Sequence, residues 1–152
     1  MKIIDDKVLM VLTRRPQLVT DKIKKSKDMG AIASDIHEVA VHWGISEAQA
    51  LAELKIKDVP SPITRDYTWT GKFNPFAHQK ETASFLSLRK RAFCFNEQGT
   101  GKTASVIWAA DYLMKLGLVK RVLVVCPLSI MKSAWQQDLF KFAMHRSCSV
   151  AH

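Results

Sequence analysis

Asn96-Glu97-Gln98-Gly99-Thr100-Gly101-Lys102-Thr103 lies between a short apolar stretch, Arg91 to Asn96, and a segment with helical spacing of apolar residues, Lys102 to Leu116. Glycines two positions apart let a backbone turn tightly enough for successive amides to face one anion, and a helix beginning at Lys102 adds the positive end of its dipole. Read this way, the stretch is a phosphate-binding loop in which Lys102 reaches the β and γ phosphates and the Thr103 hydroxyl holds a nucleotide-borne Mg²⁺. Asn96 stands where the strict pattern has its first glycine, and Asn tolerates unusual backbone angles better than most residues. A plain glycine turn before a helix would need neither the lysine nor the threonine.

The flanking segments set the expected fold. Arg91 to Asn96 reads as a short strand, and Lys102 to Leu116 as a helix closed by Gly117. The unbroken run Val122-Leu123-Val124-Val125 within Arg121 to Cys126 is of the kind found in strands covered on both faces, hence in a parallel sheet. Pro127 stops that run, and Ile130 to Phe142 resumes helical spacing with Ser129 placed to cap. Ala77 to Leu88 is a further helix, and a third strand is expected from Ser147 onward. Alternating strands and helices predict an α/β arrangement with a parallel sheet.

Upstream, Pro60, Pro62, Gly71 and Pro75 crowd together with Tyr67 and Trp69, so residues 60–74 read as a linker between a small module, 1–59, and the segment 75–152. Within the first module Lys7 to Thr13 and Glu38 to Trp43 read as strands, the second by strict alternation. Pro16 to Ile23 reads as a short helix. Ser46 with Gln49 has the form of a capping box ahead of a helix from Glu47 to Leu54. The expected unit is β-α-β-α. The basic run Lys22, Lys24, Lys25 and Lys27 is flanked by Asp21 and Asp28 and reads as solvated surface.

Charge and cysteines narrow the partners. Residues 1–70 carry 11 basic and 10 acidic side chains, whereas residues 71–152 carry 12 and 4, so +8 of the formal +9 belongs to the part with the Gly-rich loop. Such an excess points to a polyanionic partner. Cys94, Cys126 and Cys148 form no close pair, which excludes a disulfide framework and fits a reducing compartment. Cys94 and Cys126 read as small core residues. No apolar run approaches the length that spans a bilayer, and Asp5 and Asp6 spoil a signal-peptide start, so no membrane partner is expected and the chain reads as intracellular. His37-Glu38 with His42 is one residue too long for a zinc-protease helix, and Cys148 near His145 and His152 lacks a second pair of ligands.

Gln79 stands 23 residues before Lys102, within Asn74-Pro75-Phe76-Ala77-His78-Gln79. Its amide can both donate to and accept from an adenine edge. Taken together, Pro75 to Leu86, the loop Asn96 to Thr103, and Val122 to Asp138 resemble the glutamine motif, motif I and motif Ia of superfamily-two helicases. They are most similar to the Swi/Snf-like branch, through Glu97 before the loop glycines and Cys126-Pro127-Leu128-Ser129 followed by Trp135 and Asp138. The wording of the loop, with Gln98 and Thr100, is similar to bacteriophage and bacterial members.

The resemblance covers roughly residues 73–145. It implies an incomplete RecA-like parallel sheet beside a small α+β N-terminal module, with ATP and Mg²⁺ as cofactors and DNA as a sequence-independent partner. It also implies the cytoplasm of a bacterial or phage-infected cell. It assigns ATP contacts to Gln79, Glu97, Gln98, Gly99, Thr100, Gly101, Lys102 and Thr103, with Lys102 and Thr103 serving the chemistry. Backbone contacts with one DNA strand fall to the segment after Pro127, where Ser129 and the first helix amides can donate to a phosphate and Lys132 adds a cation. Trp135, at helical spacing with Met131 and Leu139, reads as core.

Hydrolysis in this family also requires an Asp-Glu-x-His motif and arginines from a second domain. No Asp-Glu pair occurs in the sequence, and Asp111 and Asp138 both fall on expected helices rather than at strand ends. The expectation is therefore the ATP- and DNA-binding N-terminal portion of an ATP-dependent helicase or translocase, ending before motif II and turning over little ATP by itself. Two alternatives are another P-loop NTPase or kinase, and a nucleic-acid-binding or assembly module with a vestigial P-loop.

Overall fold

The computed structural model describes residues 1–150. The chain divides into two compact units, Met1–Pro62 and a second beginning at Ile63.

The first unit is built on a four-stranded antiparallel sheet. Its strands are β1 (Lys2–Ile4), β2 (Val8–Thr13), β3 (Ser26–Ala33) and β4 (Ile36–His42), in the spatial order β1-β2-β4-β3. Helices α1 (Pro16–Lys22) and α2 (Ile45–Glu53) complete it. Asp5 and Asp6 make the β1–β2 turn with φ of +49° and +51°, and the Lys7 amide donates to the Ile4 carbonyl at 3.1 Å. Two consecutive positive φ values give a turn whose twist matches that of its strands.

The central pair β2–β4 sets Leu9 opposite Val41 and Val11 opposite Val39. All four are buried and join Val19 and Ile23 from α1, and Trp43 and Leu51 around α2, in one core. Each such side chain contributes about 1.5–3 kcal/mol on burial. The Trp43 indole N–H donates to the Pro60 carbonyl at 2.9 Å, so its polar edge is satisfied.

The order of this unit is β-β-α-β-β-α, with two strands more than expected. β1 has no buried residue. On β3 the half-buried positions are Ser26, Asp28 and Gly30, while Lys27 and Met29 face outward, so polarity gives no strand signal there. Asp28 accepts from the Gly30 amide at 2.9 Å and lies 2.9 Å from His37 Nδ1, and its carboxyl is held below the usual range by the Gly30 amide and by His37. Irregular register beyond Asp28 disrupts this edge, which limits further strand pairing. α2 starts one residue before Ser46, with Gly44 as its N-cap, so the expected capping box is not formed.

The second unit is helical: α3 (Ile63–Asp66), α4 (Ala77–Ser87), α5 (Lys102–Lys115) and a final stretch α6 (128–142). Within α6, Met131–Gln136 forms a π-helical segment between Leu128–Ile130 and Gln137–Phe142. The core is aromatic. Trp108 is edge-on to Trp69 at 5.6 Å and to Phe142 at 5.2 Å, and Tyr67 is edge-on to Trp69 and Tyr112 at 5.3 and 5.9 Å. Tyr67, Trp69 and Thr70, from the stretch expected to be a linker, are thus built into this unit. The Thr70 carbonyl accepts from the Trp108 indole N–H at 2.8 Å, and its hydroxyl donates to the Phe142 carbonyl.

The expected RecA-like parallel sheet is not formed among the described residues, and the sheet present is the antiparallel one of the first unit. Residues 91–96 and 121–126, both expected as strands, are irregular, as are 147–150. Phe93 and Phe95 are 82 and 89% exposed, and Leu123 and Val125 are 88 and 89% exposed, so neither run is covered on both faces. Apolar and β-branched composition favours extended backbone, but a strand exists only where a second strand accepts its amides. Cys94 and Cys126 are correspondingly half-buried rather than core. No helix among the described residues is long and apolar enough to cross a membrane.

Candidate functional site

α5 begins where the sequence places it, at Lys102, and runs 14 residues because Ala104, Ile107, Trp108 and Tyr112 give it one buried face. Gly101 is its N-cap in the left-handed region, φ +75°, and Gly99 has φ +76°. No side chain caps this end. The first-turn amides are therefore without a side-chain acceptor from the cap residue, the usual setting for an anion site at a helix start.

Lys102 folds back over the loop, its ammonium donating to the Asn96 carbonyl at 2.8 Å and the Glu97 carbonyl at 2.7 Å. The Thr100 hydroxyl donates to the same Glu97 carbonyl at 2.8 Å. Asn96 shows no positive φ. Its side-chain amide instead donates to the Thr82 hydroxyl of α4 at 2.8 Å, tying the start of the loop to that helix. Thr103 follows in the first turn of α5, half-buried, while Glu97 and Gln98 are exposed.

α4 supplies the second wall. Its first turn brings His78 and Gln79 onto the loop, His78 Nε2 donating to the Thr100 carbonyl at 3.0 Å and Gln79 Nε2 to the same oxygen at 3.4 Å. Gln79 Oε1 accepts from the Phe76 amide at 3.0 Å, so both ends of this side chain are engaged. A Cβ on Gly101 would clash with Gln79 Nε2. Glycine at 101 thus answers two demands, the left-handed backbone and the approach of Gln79. The Phe76 and His78 rings stack beside this corner with centroids 5.7 Å apart.

Further along α4, a cavity of about 250 Å³ is lined by Glu81, Thr82, Phe85, Phe93, Cys94, Phe95 and Asn96. Its walls are mostly apolar, and it meets the loop at Asn96.

The structure therefore joins Gln79, Gly99, Thr100, Gly101 and Lys102, residues up to 23 positions apart in sequence, around one corner. Pro127, Ser129 and Lys132 lie apart from that network. All three are exposed at the start of α6, and none hydrogen-bonds or ion-pairs with the loop among the described residues. Pro127, not Ser129, is the N-cap of α6, because the helix starts one residue before Ser129. Trp135 is half-buried. His78 is a loop contact that sequence reasoning does not find, since nothing in its spacing shows that α4 packs on α5.

A buried carboxylate sits elsewhere in the unit. Asp111, 2% exposed, accepts from the Tyr67 hydroxyl at 2.6 Å, from His145 Nε2 and Arg146 Nε each at 2.7 Å, and pairs with Lys115 at 3.3 Å. Burial alone would raise its pKa, but the hydrogen bonds from Tyr67, His145 and Arg146 and the Lys115 charge lower it to about 2. Every acceptor position is occupied by a structural partner, the arrangement of a clamp rather than of a base. Among the described residues no group of three or more His, Cys, Asp or Glu side chains could hold a metal ion, and His152 lies outside the described residues.

The Gly-rich corner offers backbone amides, one ammonium and a hydroxyl to an anion, with an amide and two stacked rings beside them. Those groups could hold the phosphates of a nucleoside triphosphate, and Thr103 is the residue that would ligate a Mg²⁺ carried by it. No family model, curated protein or solved structure matches the chain.

Proposed function

We propose that this chain binds ATP through the Gly99–Thr103 loop and a DNA backbone through the start of α6, as part of an ATP-driven DNA helicase or translocase. The observation that carries the reading is the convergence of Lys102, His78 and Gln79 on one loop whose two glycines are both left-handed. Phosphate oxygens are stronger acceptors for an ammonium than the two carbonyls that now hold Lys102, because both partners are then charged. Gln79 already borders the loop, and its amide can turn to an adenine edge by giving up one 3.4 Å and one 3.0 Å hydrogen bond. The resemblance to superfamily-two motifs and the +8 charge of residues 71–152 support DNA as the polyanion.

The proposed role of these residues is binding. The reaction of the family breaks the γ-phosphoryl bond with a water oriented by an acidic pair, and no Asp-Glu pair is present in the sequence.

Calorimetric titration with Mg²⁺-ATP and Mg²⁺-GTP tests the reading. The wild type should bind ATP at micromolar concentration, Lys102→Ala should lose that binding, and Gln79→Ala should bind ATP and GTP alike. Salt-sensitive DNA binding without any nucleotide affinity would overturn it in favour of a nucleic-acid module with a vestigial loop.

A further inference from the structure

We propose that Phe93 and Phe95 form a stacking platform for the bases of single-stranded DNA, an inference that rests on the DNA part of the reading above. The two rings are 82 and 89% exposed and stack on each other, with centroids 5.8 Å apart and planes 14° from parallel. Burying one such side chain is worth about 1.5–3 kcal/mol, so two left side by side in solvent are a surface in want of a partner. What adjoins the rings decides its chemistry. Arg89, Lys90 and Arg91 come immediately before them, and all three are exposed. The Arg89 guanidinium lies 3.9 Å from the Phe85 ring centroid and donates to the Phe85 carbonyl at 3.2 Å, which holds a cation against the aromatic group. Phe85 lines the cavity of about 250 Å³ together with Phe93 and Phe95, a volume below that of drug-sized pockets and on the scale of one base. Glu81 is the one acidic side chain in its wall. A polypeptide could cover the rings, but it would need carboxylates opposite three consecutive cations. A single strand supplies at every step a π-face for the rings and a phosphate for the cations, whereas the bases of a duplex are already stacked on one another. The platform differs from the backbone contact at the start of α6 in holding bases, and it does so without reading their identity.

Fluorescence anisotropy with three labelled probes of equal length tests this: an oligothymidylate, an abasic strand that keeps the phosphates but has no bases, and a duplex. The wild type should bind the oligothymidylate more tightly than the abasic strand. Phe93→Ala and Phe95→Ala should each weaken the oligothymidylate by about fivefold or more and leave the abasic strand and the duplex unchanged. Phe95→Trp, which keeps an aromatic face, should bind the oligothymidylate at least as well as the wild type. Arg91→Ala should weaken the oligothymidylate and the abasic strand alike and lower the slope of log K against log salt by about 0.7. Equal wild-type affinity for the oligothymidylate and the abasic strand, or unchanged affinity in both alanine variants, overturns the inference while leaving the backbone contact at α6 standing. Sedimentation showing a dimer that both alanine variants abolish also overturns it, since the rings would then be covered by a second copy of the chain. Failure of the wild type to bind any of the three probes removes the DNA reading and this inference with it.

Discussion

The Tyr67 hydroxyl donates to Asp111 at 2.6 Å, joining positions 44 apart in sequence and fixing the segment after α3 to the middle of α5. His145 and Arg146 reach the same carboxylate from beyond α6, so one buried charge ties three parts of the second unit together. Asp111→Asn keeps the shape but removes the charge that Arg146 and Lys115 face. Those cations are partly exposed and can rehydrate, so the expected loss is about 2–3 kcal/mol, somewhat below that for a fully buried pair. Urea denaturation followed by tryptophan fluorescence measures it, and an unchanged midpoint would show that the network is not needed for stability.

The same carboxylate sets the acid limit. Its folded pKa of about 2 lies below the unfolded value of about 3.9, so its stabilisation is complete above about pH 4 and fades as pH falls toward 2. Tyr67 and Tyr112 act at the other end. Burial raises both, helped for Tyr67 by its bond to Asp111, so the fold favours the neutral phenols and loses their contribution as pH rises past about 10. Stability of the second unit against pH should therefore fall on both sides, and Asp111→Asn should flatten the acid side and, by removing the charge beside Tyr67, soften the alkaline fall in part.

Two helices end in the same motif with different residues at its strained position. In α5 Gly117 has φ +72°, its amide donates to the Met114 carbonyl at 3.0 Å, and the Leu118 amide donates to Leu113 at 3.0 Å. After α2 the amides of Lys55 and Ile56 bond in the same way to Ala52 and Leu51, but Lys55 holds φ +59° with a side chain. Lys55→Gly should stabilise the first unit by about 1 kcal/mol and Gly117→Ala should destabilise the second by a similar amount, both read from denaturant midpoints.

Gly99 and Gly101 share a backbone conformation but not a neighbourhood. A Cβ on Gly99 meets nothing within 4 Å, whereas one on Gly101 displaces Gln79. Gly99→Ala should cost only left-handed strain, about 1–2 kcal/mol. Gly101→Ala should add to that cost the loss of preference for ATP over GTP, because Gln79 must move. Titrating both variants with the two nucleotides separates the effects.

At the start of α6, Lys132→Ala should weaken DNA binding uniformly across sequences and lower the slope of log K against log salt by about 1. An unchanged slope would remove Lys132 from the DNA contact.

Local signals carried far in this chain. α4 and α5 follow their apolar spacing, Gly117 ends α5 as expected, and alternation in β4 marks a strand whose Val39 and Val41 are buried. The Gly-rich loop and Gln79 are legible as candidates because their chemistry depends on residue type and short spacing. What the spacing cannot show is that Gln79 and His78 share the Thr100 carbonyl, which depends on how α4 packs against α5.

Beyond β2 and β4, which strands form was decided by tertiary structure. Val122 to Val125 has the composition of a buried strand yet lies exposed, while Ser26 to Ala33, polar on its half-buried positions, is a strand because β4 accepts it. By itself the sequence determined where the longer helices run, where glycine is needed and which residues are candidates to hold a phosphate; the short α3 lies in the stretch expected to be a linker. Only the fold decided which extended segments find partners, because a strand's hydrogen bonds are made with another part of the chain, whereas a helix makes its own.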